Sequence, residues 1–198
     1  MSCVGLVTGA VLLRKIPQIS GGNPRVMGPA DADVKIVEYV DFQCGACQQA
    51  SFLLKQYMKK YPSRILLEAK TYPLSGHPYG LLSAQYAHCA AGAGKFWPFY
   101  NLVFERQIEW SHLPHPASVK GRFAEIARMA GLDPVKLEAC ADDPATRRAV
   151  EKEKDAGSEM GVRSTPTFFV NGQAIVGTKE LTRELDKYFP NEKPAQGR

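Results

Sequence analysis

The sequence lacks a long apolar run and a dense cluster of basic residues. Its first apolar stretch, Val4 to Leu13, is too short to span a bilayer and is not preceded by the positive charges of an intact signal peptide. Lysine and arginine are scattered and the formal net charge is only +5, so we expect no nucleic-acid partner. With 44% hydrophobic and 23% charged residues, the composition excludes a disordered or fibrous protein and leaves a globular one.

Residues suited to a metal site are also few. Among the five cysteines, only Cys44 and Cys47 stand close together, whereas Cys3, Cys89 and Cys140 are isolated. A structural zinc site needs a second close pair of cysteines or histidines, and the four histidines supply none at ligand spacing. We therefore expect neither a metal nor another cofactor.

The N-terminal region, residues 1–25, has two interpretations. It is either the remnant of a signal or membrane anchor whose upstream part is missing, or an arm that frays or docks on the domain. Glycine and proline from Ser20 to Pro24, and again at Gly28-Pro29, predict a linker into the folded domain. Cys3 lies in no clear lipidation context and receives no role.

The close cysteine pair lies between a predicted strand and a predicted helix. Residues Val34 to Val40 are rich in β-branched and aromatic types, as in a central strand buried on both faces. After Cys47, apolar residues recur at helical spacing until Pro62 ends the run, and Arg64 to Lys70 predicts a second strand. The pair thus occupies the turn where a strand leads into a helix.

A helical block follows and then a return to strands. Helical periodicity extends over residues 79–160, where Asp133 and Asp143 each act as an N-cap before proline. The alternating charges from Glu151 to Asp155 indicate a solvated helix face. Two apolar runs joined by Asn171-Gly172 then predict a hairpin, and a closing amphipathic helix completes an α/β order of elements.

Two cysteines separated by two residues at a helix N-terminus suit thiol–disulfide exchange. Unpaired N–H groups and the helix dipole favour the thiolate of the first cysteine. We assign Cys44 as the nucleophile that forms a mixed disulfide, and Cys47 as the more buried thiol that resolves it. The alternative is a pair that is inert or binds a metal.

Glu38 lies inside the predicted buried strand, where a carboxylate is unfavourable unless it is neutral, hydrated or paired. One hypothesis makes it the proton acceptor of the resolving thiol, acting through water. The other places it near a strand edge with its head in solvent.

Thr165-Pro166 precedes the hairpin, and on residue type alone its peptide bond is expected to be trans.

Together these segments resemble the DsbA-like branch of the thioredoxin superfamily, whose members carry a helical insertion. The resemblance covers roughly Val26 to Phe189. It implies a thioredoxin fold in two parts, residues 26–78 and 161–190, with a helical insertion at 79–160 and a tail at 191–198. The segments that carry it are Ile36 to Cys47, Gly94 to Trp97 and Gly161 to Gly172.

The resemblance also implies roles for individual residues. Pro166 would be cis and pack opposite Cys44, and Thr165 would offer backbone hydrogen bonds to an extended substrate. Glu38 would be the buried acid. His77, just before the insertion, either lies near the active site or serves only the entry into a helix.

Two departures from the branch leave the direction of electron flow open. Gly45-Ala46 replaces the Pro-His of strongly oxidising members, and Thr165 replaces their valine, as in isomerases and reductases. We expect a monomeric enzyme, periplasmic or otherwise extracytoplasmic, that oxidises unfolded or partly folded proteins and works with a membrane redox partner. The alternatives are a thioredoxin-like reductase, a disulfide isomerase, a metal-binding module and a non-catalytic adaptor.

Export of such an enzyme bears on the isolated cysteines. In an oxidising compartment leftover thiols seldom stay free, so we predict a disulfide between Cys89 and Cys140 that ties the start of the helical block to its end. The alternative is two buried, unpaired cysteines that pack as small hydrophobes.

Overall fold

A computed structural model of the chain describes Pro17 and residues 22–190. Cys3, most of the predicted arm and the predicted tail lie outside the described residues. The described part contains five strands and eight helices, which confirms the predicted α/β class. None of these described helices is both long and apolar enough to cross a membrane.

Six of the eight helices lie between the third and fourth strands, in the stretch predicted as an insertion. The division of the chain into domains stays a prediction. In chain order the elements are β1 (Val26–Met27), β2 (Val34–Val40), α1 (Gly45–Lys60), β3 (Ile65–Thr71), α2 (Gly80–Gly92), α3 (Phe96–Glu105), α4 (Gln107–Trp110), α5 (Pro116–Met129), α6 (Pro134–Ala141), α7 (Pro144–Glu159), β4 (Thr167–Val170), β5 (Gln173–Val176) and α8 (Thr178–Tyr188).

The strands form one sheet in the order β1-β3-β2-β4-β5. Strand β2 is central, parallel to β3 and antiparallel to β4, and every residue in it except Lys35 is buried. Strand β1 was not predicted, because two residues are too few to show a periodicity. Gly28 ends it at φ +104°, and a Cβ there would lie 2.0 Å from the carbonyl oxygen of Ile65, so only glycine fits beside β3.

Helices cover both faces of the sheet. Helices α1 and α8 pack on one face, over a core that includes Ile36, Leu54 and Leu185. Helix α7 covers the other face, where a Cβ on Gly157 would come within 2.8 Å of the Tyr39 ring. The remaining helices enclose a third core, which also contains Cys47. The cysteine pair therefore lies where the sheet, α1 and the helical block meet.

The alternating charges of α7 do not form a fully solvated face, and that prediction is wrong for Glu153. Its carboxylate accepts two hydrogen bonds from the buried Arg25 guanidinium, at 2.8 and 2.9 Å, and one from the Thr71 backbone N–H at 2.8 Å. The ion pair joins α7 to the segment before β1, and the hydrogen bond from Thr71 joins α7 to β3. Local charge pattern carries no sign of it because Arg25 lies 128 residues away in sequence.

Candidate active site

The strand-to-helix turn places the two cysteines at different depths. Cys44 is the extended N-cap of α1, and its carbonyl accepts hydrogen bonds from the Cys47 and Gln48 N–H groups at 3.1 and 3.2 Å. Cys44 is half-buried, whereas Cys47, almost one turn along, is fully buried. The first sulfur is thus the one that a substrate can reach.

The pKa values of the two thiols move in opposite directions. A hydrogen bond from the Cys47 thiol is the main cause that lowers the pKa of Cys44 to about 5, and backbone N–H groups of Cys47 and Ala46 add to it against the effect of burial. Burial is the main cause that raises the pKa of Cys47 well above its usual value. At neutral pH Cys44 is therefore a thiolate and Cys47 a thiol, with the helix N-terminus contributing less than the neighbouring thiol.

The loop before β4 lies against Cys44. The Thr165-Pro166 peptide bond is cis, as the resemblance implies and contrary to the trans default of residue type alone. The Cys44 sulfur lies 3.5 Å from the Thr165 carbonyl oxygen, to which it donates a hydrogen bond only when it is protonated. The Gly177 N–H donates to the Pro166 carbonyl oxygen at 3.0 Å. The Thr165 hydroxyl is buried, and a hydrogen bond from the Thr165 side chain helps to lower the pKa of Cys44. The first of these contacts brings the predicted site residue Thr165 directly to the Cys44 sulfur.

Glu38 is fully buried in the middle of the sheet, between Ala69 on β3 and Phe168 on β4. The alternative with its head in solvent is therefore wrong. Its Oε1 accepts a hydrogen bond from the Tyr100 hydroxyl at 2.8 Å, whereas Oε2 is buried without a partner. Burial raises the pKa of Glu38 to about 8, and the bond from Tyr100 acts in the opposite direction.

The neighbours of Glu38 along β2 show which helix covers it. Side chains alternate between the faces of a strand, so Ile36, Glu38 and Val40 share one face. Ile36 packs in one core with residues of α1, and Val40 packs in another core with Cys47. Glu38 therefore lies beneath the first turns of α1, on the side of the buried cysteine.

His77 contacts Asp41, which lies beside the cysteine turn, and it also contacts the start of α2. Its Nδ1 lies 2.8 Å from Oδ2 of the buried Asp41, whose backbone carbonyl accepts the Cys44 N–H at 3.0 Å. The His77 carbonyl also accepts the Gly80 N–H at the start of α2. Asp41 was missed from the sequence, although an acid directly after a buried strand is a signal for it.

Two glutamines also hold the turn and were missed from the sequence. Gln107 on α4 donates to the carbonyl oxygens of Phe42 and Cys44 at 2.7 and 3.0 Å. Gln43 accepts the Tyr79 N–H at 2.6 Å. No spacing marks Gln107, because it belongs to the helical block, far from the motif in sequence.

A disulfide joins Cys89 on α2 to Cys140 on α6, with a Cα–Cα distance of 6.0 Å. The first residue of α2, Gly80, lies against Asp41, so the disulfide is toward the other end of that helix from the cysteine pair. Within the residues that the structure describes, no group of three or more His, Cys, Asp or Glu side chains is arranged to hold a metal ion.

A family model described as Thioredoxin matches residues 20–187, so the chain belongs to the thioredoxin family. The Na⁺/H⁺ antiporter NhaA of Herminiimonas arsenicoxydans is 32% identical over 164 residues, which is 82% of this chain and 24% of that protein. The chain thus spans about a quarter of the length of the curated relatives it matches.

The fold of the chain is similar to the solved structures of several bacterial proteins, among them the following two. Oxidised BdbD of Bacillus subtilis is 22% identical, with a TM-score of 0.71 over 89% of this chain and 98% of its own. Alpha-DsbA1 of Wolbachia pipientis is 21% identical, with a TM-score of 0.70 over 84% of this chain and 90% of its own. The predicted thioredoxin fold and the resemblance to DsbA-like proteins are confirmed at the level of the fold.

Proposed function

We propose that the chain is a thiol–disulfide oxidoreductase that works through Cys44 and Cys47. The observation that carries this proposal is the pairing of a half-buried, low-pKa sulfur with a buried, high-pKa one in a thioredoxin-family turn. A thiolate is the attacking species in disulfide exchange, and the resolving thiol must stay protonated until it is needed. The two cysteines meet both requirements at neutral pH.

The exchange has two steps in the oxidising direction. A substrate thiolate attacks the Cys44 sulfur of the Cys44–Cys47 disulfide, and Cys47 leaves as a thiolate and takes a proton. A second thiolate of the substrate attacks the substrate sulfur of this mixed disulfide, and Cys44 leaves as a thiolate. The substrate dithiol is oxidised to a disulfide, and the cysteine pair is reduced by two electrons.

The buried Glu38 is the group proposed to exchange the proton with Cys47. Its carboxyl lies beneath the first turns of α1 and has one oxygen without a partner. A pKa of about 8 lets it both give and take a proton near neutral pH. The Thr165-Pro166 loop, adjacent to the Cys44 sulfur, is the proposed binding ledge for an extended protein substrate.

An oxidase role is favoured by the stability of the Cys44 thiolate, because a stabilised reduced form makes a disulfide more oxidising. A pKa of about 5 lies between the value of about 7 in thioredoxin and about 3.5 in the strongly oxidising DsbA. The Cys89–Cys140 disulfide supports an extracytoplasmic location. We propose unfolded or partly folded proteins as substrates, a membrane protein as redox partner and a monomeric enzyme.

Equilibration with glutathione buffers tests the direction. We expect a reduction potential between about −120 and about −270 mV, the values of DsbA and thioredoxin. A value at the thioredoxin end would support the reductase alternative instead. As a matched pair, Cys44→Ser should abolish oxidation of a reduced test protein, whereas a double alanine variant of Cys89 and Cys140 should retain it. Full oxidation of the test protein by Cys44→Ser would contradict the proposal, and a wild-type protein that does not oxidise it at all would favour an adaptor.

A further inference from the structure

The contact between Tyr100 and Glu38 makes the two oxygens of the carboxyl group unequal. Both side chains are buried, and the Tyr100 hydroxyl on α3 donates to Oε1 at 2.8 Å. Oε2 is equally buried but has no hydrogen-bond partner. A buried oxygen without a partner is unfavourable in the charged carboxylate and is relieved when that oxygen takes a proton. Oε2, the oxygen without a partner, is therefore the one suited to proton exchange.

The position of the Tyr100 ring is set by its aromatic neighbours. Its centroid lies 4.9 to 5.7 Å from those of Phe42, Phe96, Trp97 and Phe104, which surround it. Close packing on several sides leaves no room for the hydroxyl to turn away from Glu38. Tyr100 also remains a donor, because burial and the nearby Glu38 raise its pKa well above the usual value.

Few titratable groups face Glu38 besides Tyr100. Its neighbours across the sheet, Ala69 and Phe168, do not titrate, and Glu68 and Lys70 flank Ala69 and so point to the opposite face of β3. From α1, Cys47 packs in the same core as Tyr100, whereas Tyr57 packs in the core of Ile36 and its hydroxyl donates to Asp186 on α8. Glu38 and Cys47 are the two titratable neighbours that act on Tyr100, so the three groups form one small set.

We infer that Tyr100 is a positioning residue of the exchange reaction, holding Oε1 of Glu38 so that Oε2 accepts the proton of Cys47. The inference rests on the proposed function. When a mixed disulfide on Cys44 is resolved, the Cys47 proton passes to Glu38 and the Cys47 thiolate attacks the Cys44 sulfur. The Cys44–Cys47 bond forms, and the substrate sulfur leaves as a thiolate.

Replacing Tyr100 by phenylalanine removes the hydroxyl and keeps the ring. A hydrogen bond to a charged group is worth enough to move a pKa by about one unit, so the base should titrate about one pH unit higher. The rate at which the mixed disulfide is resolved, measured by rapid mixing and acid quench, should then fall by up to about tenfold below that midpoint. At higher pH the rate should recover. The control is Tyr86→Phe, since the Tyr86 hydroxyl is buried in the same core without a partner.

The variant Glu38→Gln completes the test. If Tyr100 acts through Glu38, then Tyr100→Phe should change nothing further in a Glu38→Gln background. A Tyr100→Phe enzyme with the wild-type pH profile would overturn the inference, and so would an equal shift in Tyr86→Phe. A wild-type protein that forms no mixed disulfide would instead refute the proposed function.

A second substitution covers the case in which Tyr100→Phe fails to fold. Replacement of Tyr100 by 3-fluorotyrosine keeps the shape and makes the hydroxyl a stronger donor. The midpoint of the pH profile should then move to lower pH, the opposite direction to the phenylalanine variant. An unchanged midpoint would again overturn the inference.

Discussion

Removing the Cys47 thiol should raise the pKa of Cys44, because that thiol is the main cause of the low value. A hydrogen bond to a charged group contributes about 1.5–3 kcal/mol, which corresponds to about one to two pKa units. In Cys47→Ala we therefore expect the pKa of Cys44 to rise from about 5 to roughly 6–7. It should stay below that of a free cysteine, since the backbone N–H groups of Cys47 and Ala46 remain.

The assay is the ultraviolet absorbance of the thiolate followed across a pH titration, with the rate of alkylation as a second measurement. Cys47→Ser is the matched control, because a hydroxyl at the same place can still donate to the Cys44 thiolate. The serine variant should keep a pKa closer to the wild-type value than the alanine variant does. Equal pKa values in wild type and Cys47→Ala would refute the reasoning and assign the thiolate to the helix N-terminus alone.

Three further predictions concern stability. The pKa of Glu38 is raised from 4.5 to about 8, so the contribution of Glu38 to stability is lost as the pH rises through this range. Glu38→Gln should therefore raise the melting temperature above about pH 8 and have little effect below about pH 4. Glu153→Ala should cost about 3 kcal/mol in urea unfolding by leaving its arginine partner buried and unpaired, whereas exposed Glu151→Ala should cost under about 1 kcal/mol. Replacing Cys89 and Cys140 with alanine should lower the free energy of unfolding by at most about 4 kcal/mol, because the disulfide joins residues 51 positions apart. An unchanged unfolding midpoint would contradict this.

Local signals predicted the turn of the closing hairpin and the starts of two helices. The hairpin dipeptide Asn171-Gly172 adopts the positive φ values, 46° and 85°, that its turn type requires. Asp133 and Asp143 cap their helices through backbone N–H groups, as their place before proline predicted. These features depend on a few neighbouring residues, so a single sequence reveals them. Strand β1 depends instead on pairing with β3, and nothing within its two residues indicates it.

The parts of the site that the sequence did not reveal come from the helical block. Tyr100 on α3 binds Glu38, and Gln107 on α4 donates to the carbonyl oxygens of Phe42 and Cys44. Each contact joins residues more than 60 positions apart, beyond the reach of periodicity or capping patterns. The block therefore does more than cover the sheet, because it supplies hydrogen bonds both to the buried acid and to the backbone of the turn. Substitutions in these helices can change the chemistry of the cysteine pair without touching either sulfur.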